Sequence, residues 1–124
     1  MLAVTLMGDK YDDVVDGRVS VLRYPFKEYW HKRMGQLVMT VDEDYDFSTV
    51  EVGAAFHFNP PGCILVMKSF KGLKRVLGVT SIRIVDGPSY EVTVDHSFDY
   101  VGFLRETEGE DAADMAESWL ERGV

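Results

Sequence analysis

A chain of 124 residues, 46% hydrophobic and 27% charged, is long enough for one domain with its own core, residues 1–124, and leaves little room for a second. Its single cysteine, Cys63, excludes an intramolecular disulfide, and no apolar run approaches the ~20 residues that span a bilayer, so we expect a cytoplasmic protein without membrane contact. The formal net charge of -8 disfavours tight, non-specific binding to a phosphate backbone.

The start of the chain predicts two strands around a short helix. The apolar run Leu2–Met7 indicates a buried strand, and Val19–Tyr24 indicates a second. Between them, Asp9 is a suitable N-cap residue and Gly17 a natural helix end, so we predict a helix over this interval.

The stretch that follows mixes aromatic and basic residues. Phe26–Met34 predicts either a helical turn or an ordered loop, which Gly35 ends. Gln36–Val41 predicts a further strand, and Asp42–Asp46 predicts a loop.

The second half of the chain predicts mainly strands and one longer helix. The predicted strands are Thr49–Phe58, Cys63–Met67, Val76–Val85 and Tyr90–Val94. The predicted turns are Asn59–Gly62, Lys71–Lys74 and Asp86–Ser89. A helix is predicted over Glu110–Arg122, with Trp119 in the core next to the face formed by Ala113, Ala116 and Leu120. This pattern predicts an α+β fold, a small and mostly antiparallel sheet that closes into a partial β-barrel, with a short N-terminal helix and a C-terminal helix.

Charged residues are unevenly distributed along the chain. No acidic residue lies between Glu51 and Asp86, a stretch that contains several lysines and arginines, whereas the stretch from Glu106 to Glu121 has seven acids and no base. Charge runs of this kind are most often solvated faces. The acidic C-terminal helix is also a candidate surface for a protein partner.

Acidic residues and histidines do not form a recognisable metal site in the sequence. Asp42, Asp44 and Asp46 alternate as in a calcium loop, but Phe47 and Gly53 stand where an EF-hand needs glycine and glutamate. The three histidines lack zinc-type spacing. We therefore expect neither a metal nor another cofactor.

Residues 24–34, YPFKEYWHKRM, interleave aromatic with basic side chains. Aromatic rings stack on bases and cations contact phosphates, which makes Tyr24, Trp30 and Lys32 candidate contacts to a nucleotide or to single-stranded nucleic acid. The alternative is an amphipathic helix whose aromatic residues lie in the core.

Two segments together carry a family resemblance. LAVTLMGDKYDDVVDGRVSVLR, residues 2–23, combines a strand, a short helix ending at a glycine, and Arg23 near its end. ETEGEDAADMAESW, residues 106–119, has Glu108, Gly109 and Glu110 ahead of Trp119. In order and spacing they resemble the ASCH domain of the PUA-like superfamily. Its first segment ends in glycine-any-Lys-Thr-any-Glu-any-Arg, and its second is an acidic Glu-Gly-Glu-Gly-Asp run before a tryptophan.

The resemblance implies a PUA-like partial barrel whose cleft holds a nucleotide or modified base, lined here by Arg18, Ser20 and Arg23. Some ASCH proteins deacylate a modified cytidine with Lys, Thr and Glu acting together. In this chain the lysine position falls on Arg18 or Val19, the threonine position on Val19 or Ser20, and the glutamate has no acidic counterpart. Because a guanidinium does not deprotonate, Arg18 suits anion binding better than base catalysis, and Ser20 is a weak candidate nucleophile.

The resemblance also brings Glu108 and Glu110 to this cleft. Two carboxylates beside a glycine are suited to acid and base roles, which makes Glu108 a second weak catalytic candidate. They are equally explained as ordinary first-turn acids of a helix, favoured by the helix dipole.

Three functions follow from these residues. The first is a module that binds RNA, DNA or a modified nucleoside in the cleft. The second is a small hydrolase, an amidohydrolase or nuclease, acting on a nucleoside or RNA there. The third is an acidic protein-interaction module, for example an inhibitor from a mobile element. The unmatched lysine and glutamate favour binding over catalysis.

Overall fold

The computed structural model describes residues 2–39, 51–70 and 72–121. The strands in these ranges are β1 (Leu2–Leu6), β2 (Val21–Pro25), β3 (Ala55–Lys68), β4 (Lys74–Val85) and β5 (Ser89–Asp95). The helices are α1 (Gly8–Val15), α2 (Glu28–Met39), α3 (Tyr100–Thr107) and α4 (Glu110–Glu121).

The strands form one sheet in the order β1-β3-β4-β5-β2. β1 runs parallel to β3, and every other neighbouring pair is antiparallel. The sheet curls into a half-barrel that carries helices at both ends. This confirms the predicted α+β class and the mostly antiparallel partial barrel.

The core lies on the inner side of the curled sheet. Because side chains alternate along a strand, one row of register partners, Leu22, Val92 and Ile82, points inward and is buried. The next row, Arg23, Glu91 and Arg83, points to the opposite face. Helices α1 and α2 add Val14, Met34 and Leu37 to the same core.

Helix α2 differs from the sequence prediction. The predicted helix end at Gly35 is wrong, and so is the predicted strand Gln36–Val41 as far as Met39, because the helix continues through a buried Gly35 to Met39. Residues 40–41 of that predicted strand lie outside the described residues. Trp30, Met34 and Leu37 recur at helical spacing and pack against the core. Tertiary packing of this face outweighs the weak helix propensity of glycine.

The predicted turn at Asn59–Gly62 is also wrong. These residues lie inside the long strand β3, where the pairing with β4 shifts register between His57 and Gly62. Proline has no N–H to donate to a ladder, so Pro60 and Pro61 are accommodated at this irregularity.

The predicted strand Thr49–Phe58 begins at Ala55 in the described residues, and the predicted loop Asp42–Asp46 lies outside them.

Of the two predicted ends of helix α1, the start is wrong and the end is confirmed. Asp9 is not the N-cap, since Met7 holds that position and makes no side-chain cap hydrogen bond. The helix does end close to Gly17, whose φ of 81° lies in the left-handed region. A Cβ on Gly17 would come within 2.5 Å of the His96 ring.

Helix α4 forms as predicted, but Trp119 does not enter the core. Ala113 is buried, whereas Trp119 is 39% exposed and Met115 is more exposed still. The helix buries only the narrow face of small residues around Ala113, which leaves Trp119 on its flank. Helix α3, which precedes it, was not among the predicted elements.

Gly17→Ala should destabilise the protein by about 1–2 kcal/mol in urea unfolding, because the new Cβ meets both an unfavourable φ and the His96 ring. Gly53→Ala is the matched control, since Gly53 has a φ of 96° and, apart from its chain neighbours, no other described residue lies within 4 Å of its Cβ position. His96→Ala in the Gly17→Ala background should recover the difference between the two variants. Equal losses in both glycine variants would show that the ring contact is irrelevant.

Trp119→Ala should lower the free energy of unfolding by less than about 2 kcal/mol. Ile82 is fully buried, so Ile82→Ala should lower the free energy of unfolding more, by ~2–5 kcal/mol. Thermal and urea unfolding of both variants measure the comparison. A larger loss for Trp119→Ala than for Ile82→Ala would contradict its position on the flank of α4.

Candidate functional site

The outer face of the sheet carries a row of three charged side chains. Glu91 of β5 lies between Arg23 of β2 and Arg83 of β4 in the strand register. The Nη2 of Arg23 is 3.6 Å from Oε2 of Glu91, and the Nη2 of Arg83 is 3.2 Å from Oε1. We call this the Arg–Glu–Arg row.

Burial makes this row unusual. Glu91 is only 8% exposed, while both arginine side chains remain largely in solvent. A carboxylate is tolerated at low exposure when cations and hydrogen bonds compensate its lost hydration. Glu91 therefore has one guanidinium group on each side of it, and each guanidinium has further N–H donors without a partner among the described residues.

An open concavity of about 400 Å³ lies beside Arg23. Leu6, Lys10, Val21, Leu22, Arg23, Tyr24 and Glu91 line it. The polar groups are thus two cations and one carboxylate, set against apolar walls. This combination suits a small ligand with an anionic group and a flat apolar part.

Aromatic side chains adjoin the concavity at Tyr24. The rings of Tyr24 and Trp30 stack with centroids 4.1 Å apart, and Tyr29 meets Trp30 edge to face at 5.1 Å. The guanidinium carbon of Arg33 lies 3.6 Å from the centroid of the Tyr29 ring. Tyr29 is itself 57% exposed, so this cluster offers aromatic and guanidinium surfaces to solvent.

The hydroxyl of Tyr24 is buried and has no hydrogen-bond partner among the described residues. Burial raises the pKa of Tyr24 to about 12, so the phenol stays protonated at neutral pH. Tyr24 therefore contributes its ring to the site, with no charge.

A second aromatic group fixes helix α2 on the sheet. His31 Nδ1 and the Tyr90 hydroxyl are hydrogen-bonded at 2.5 Å, and the ring of Phe26 packs against both His31 and Tyr90. Tyr90 is fully buried in β5. The aromatic cluster is thus held on the core face of the sheet, opposite the face of the Arg–Glu–Arg row, and it reaches the concavity through Tyr24 of the edge strand β2.

The other predicted residues of the N-terminal segment lie outside the concavity lining. Arg18 is exposed and pairs with Asp16 at 2.6 Å and with Asp13 at 3.5 Å. Ser20 is exposed, and its backbone carbonyl accepts a hydrogen bond from the Val94 N–H. On α2, Lys32 is exposed and lies 3.9 Å from Glu28.

Glu108 and Glu110 lie at the corner between α3 and α4. Glu108 is the C-cap residue of α3, and Glu110 accepts a hydrogen bond from Arg105 Nε at 3.1 Å. The lining of the concavity comes from β1, α1, β2 and β5 instead. The structure therefore brings Arg23 and Tyr24 together in the concavity, with Trp30 stacked on Tyr24, and places the two glutamates at a different corner.

Three charged residues of the site were not among the sequence candidates: Lys10, Arg83 and Glu91. Arg83 and Glu91 become neighbours of Arg23 only through the register of three strands, which no spacing in the sequence reveals. One signal was available, since Glu91 is a single charge between the apolar residues Tyr90 and Val92 in a predicted strand.

Three further features that often indicate a function are a metal-binding cluster, a membrane-spanning helix and a reactive thiol. Within residues 2–39, 51–70 and 72–121, no cluster of three or more His, Cys, Asp or Glu side chains could hold a metal ion. No helix in the same ranges is long and apolar enough to cross a membrane. Cys63 is half-buried, and burial raises the pKa of its thiol, which disfavours the nucleophilic thiolate.

No family model matches the chain, and no curated protein or solved structure matches it either. The function of the site is therefore inferred from its own side chains: cations on a rigid sheet, one enclosed carboxylate and an adjoining aromatic cluster.

Arg23→Ala and Arg83→Ala should each lower the free energy of unfolding by less than about 1 kcal/mol. Exposed ion pairs contribute little, and in each variant the remaining arginine still neutralises Glu91. In the double variant the poorly hydrated carboxylate of Glu91 has lost both arginines. The loss in free energy of unfolding should therefore exceed the sum of the losses in the two single variants by about 1–3 kcal/mol. Urea unfolding of the four proteins closes this double-mutant cycle. Additive losses would mean that Glu91 does not depend on the pair.

Proposed function

We propose that the protein is a divergent ASCH-type, PUA-like module that binds a nucleotide of RNA or DNA, or a modified nucleoside, at the Arg23 concavity. The observation that carries this proposal is the junction of Arg23 and Lys10 with the aromatic cluster at Tyr24. The proposal places the protein in the cytoplasm, where a single thiol such as Cys63 stays reduced.

Arg23 and Lys10 suit a phosphate. A guanidinium donates two parallel hydrogen bonds to a phosphate, and an ammonium adds charge without demanding a fixed geometry. Glu91 holds Arg23 from one side through a long contact of 3.6 Å, which leaves most of its donors available. Arg83 extends the cationic row on the other side of Glu91.

Glu91 and Tyr24 suit a base in the concavity, and Tyr29, outside the concavity on the α2 side, suits a further stacked base. A carboxylate accepts hydrogen bonds from an exocyclic amino group, which cytosine, adenine and guanine carry and uracil and thymine lack. Tyr29 presents an exposed ring whose partner, Arg33, already stacks on it, and such surfaces bind the flat face of a base. We therefore expect a preference for amino-bearing bases.

The size and charge of the molecule favour a short ligand over a duplex. A volume of about 400 Å³ lies at the lower end of small-molecule sites. The seven acids of residues 106–121, within a net charge of -8, oppose a long polyanion that extends over the surface. A mononucleotide or a few unpaired nucleotides avoid this repulsion.

Binding is favoured over hydrolysis at this site. A serine nucleophile requires a base within hydrogen-bond reach. The side chain of Ser20 has no hydrogen bond to another described residue, and Arg18 is held by Asp13 and Asp16. Glu108, the other catalytic candidate, lies at the α3–α4 corner.

Arg23→Ala should weaken binding of a nucleoside monophosphate by about tenfold or more, measured by calorimetry with a panel of 5′-monophosphates, with little change in melting temperature. Arg18→Ala is the matched control, because it removes an exposed arginine from the same segment and should change affinity less than about twofold. Tyr29→Ala should weaken the binding of a labelled six-nucleotide single strand more than it weakens the binding of a mononucleotide.

Two outcomes would contradict the proposal. One is the failure of every nucleotide and oligonucleotide to bind at low salt. The other is an equal loss in Arg18→Ala and Arg23→Ala, which would indicate diffuse attraction to surface cations and no defined site.

A further inference from the structure

Exposed apolar side chains gather at the turn between β3 and β4, next to helix α4. Phe70 is 96% exposed, and Leu73, Met115 and Trp119 are exposed as well. A concavity of about 430 Å³ joins the hairpin and the helix, with Phe70, Leu73 and Trp119 in its lining. We call these four side chains the hairpin–helix patch.

Phe70 combines an uncommon backbone conformation with an exposed ring. Its φ of 63° lies in the left-handed region, which a bulky side chain rarely adopts. The nearly complete exposure of its ring loses hydrophobic stabilisation in addition. Both features are accounted for if the ring contacts another molecule.

The patch carries opposite charges on its two sides. On the hairpin side, the ammonium of Lys74 lies 4.4 Å from the centroid of the Trp119 ring. Among the described residues, Lys74 has no carboxylate within 4.0 Å. On the helix side, Asp111, Met115 and Trp119 recur at intervals of four and so lie along one stripe of α4.

We infer that the hairpin–helix patch is the interface of a symmetric dimer between two copies of this chain. A two-fold axis through the patch sets the basic hairpin of each copy against the acidic helix of the other, and the apolar side chains meet between them. The dimer then contains two equivalent contacts, and in each of them Lys74 of one copy faces the acidic helix of the other. An anionic bilayer or a nucleic acid would instead meet the acidic stripe of α4 with repulsion.

The inference is independent of the proposed nucleotide site, since the lining residues of the Arg23 concavity and the patch do not overlap. The two hypotheses can therefore fail separately.

Sedimentation velocity from about 1 to 200 µM tests the inference, with association expected to rise with concentration and to weaken at high salt. Phe70→Ser and Trp119→Ala should each weaken association by about tenfold or more. Tyr29→Ser removes another exposed aromatic ring and should leave association unchanged. Circular dichroism confirms that each variant is folded.

A charge-reversal pair tests the geometry. Lys74→Glu makes the hairpin side of the patch acidic, and Asp111→Lys makes the helix stripe basic. Neither variant should self-associate as well as the parent protein, but an equimolar mixture should form a heterodimer, because reversed charges then meet each other at one of the two contacts.

Three results would overturn the inference. They are a monomer over the whole concentration range, a dimer that survives Phe70→Ser, and a monomer that cosediments through Phe70 with vesicles of phosphatidylcholine and phosphatidylserine. The last result would assign the patch to a lipid surface.

Discussion

The register of β5 between β2 and β4 is the constraint on which the rest of the structure depends. It aligns Leu22, Val92 and Ile82 on the inner side and Arg23, Glu91 and Arg83 on the outer side. A slip of one residue in β2 would place Arg23 in the core and Leu22 in solvent. The hydrophobic gain from the inner row therefore fixes the position of the charged row, although the charges themselves contribute little to stability.

Helix α2 links the core to the candidate site. Its inner side chains, Met34 and Leu37, are buried, and the contacts of His31 and Phe26 with Tyr90 determine how the helix lies on the sheet. Its outer side presents Tyr29 and Arg33. Substitutions at the inner positions should thus disturb the geometry of the outer ones, whereas changes at Tyr29 and Arg33 should leave the fold intact.

The sequence was informative where a local period decided the structure. The alternation in β4 and the helical spacing in α4 predicted those elements, and the aromatic–basic segment drew attention to Tyr24 and Trp30, whose rings stack in the structure. The errors occurred where tertiary packing overrode a local signal, at Gly35 inside α2 and at Asn59–Gly62 inside β3. Arg83 and Glu91 depend on strand register, which one chain alone does not specify. Trp119 shares a stripe of α4 with Met115, but that stripe faces away from the core, and helical spacing alone does not show which stripe faces inward.

The parallel pairing of β1 with β3 has a consequence for the order of folding. Leu2 lies opposite Ile64, so the first strand must wait for a partner from the second half of the chain. The hairpins β3–β4 and β4–β5 close over short loops, and their loop-closure entropy is small by comparison. During synthesis β1 leaves the ribosome before β3, so the apolar sequence LAVTL stays unpaired until β3 has been made. Over that interval it is an exposed segment of the kind that chaperones protect from aggregation.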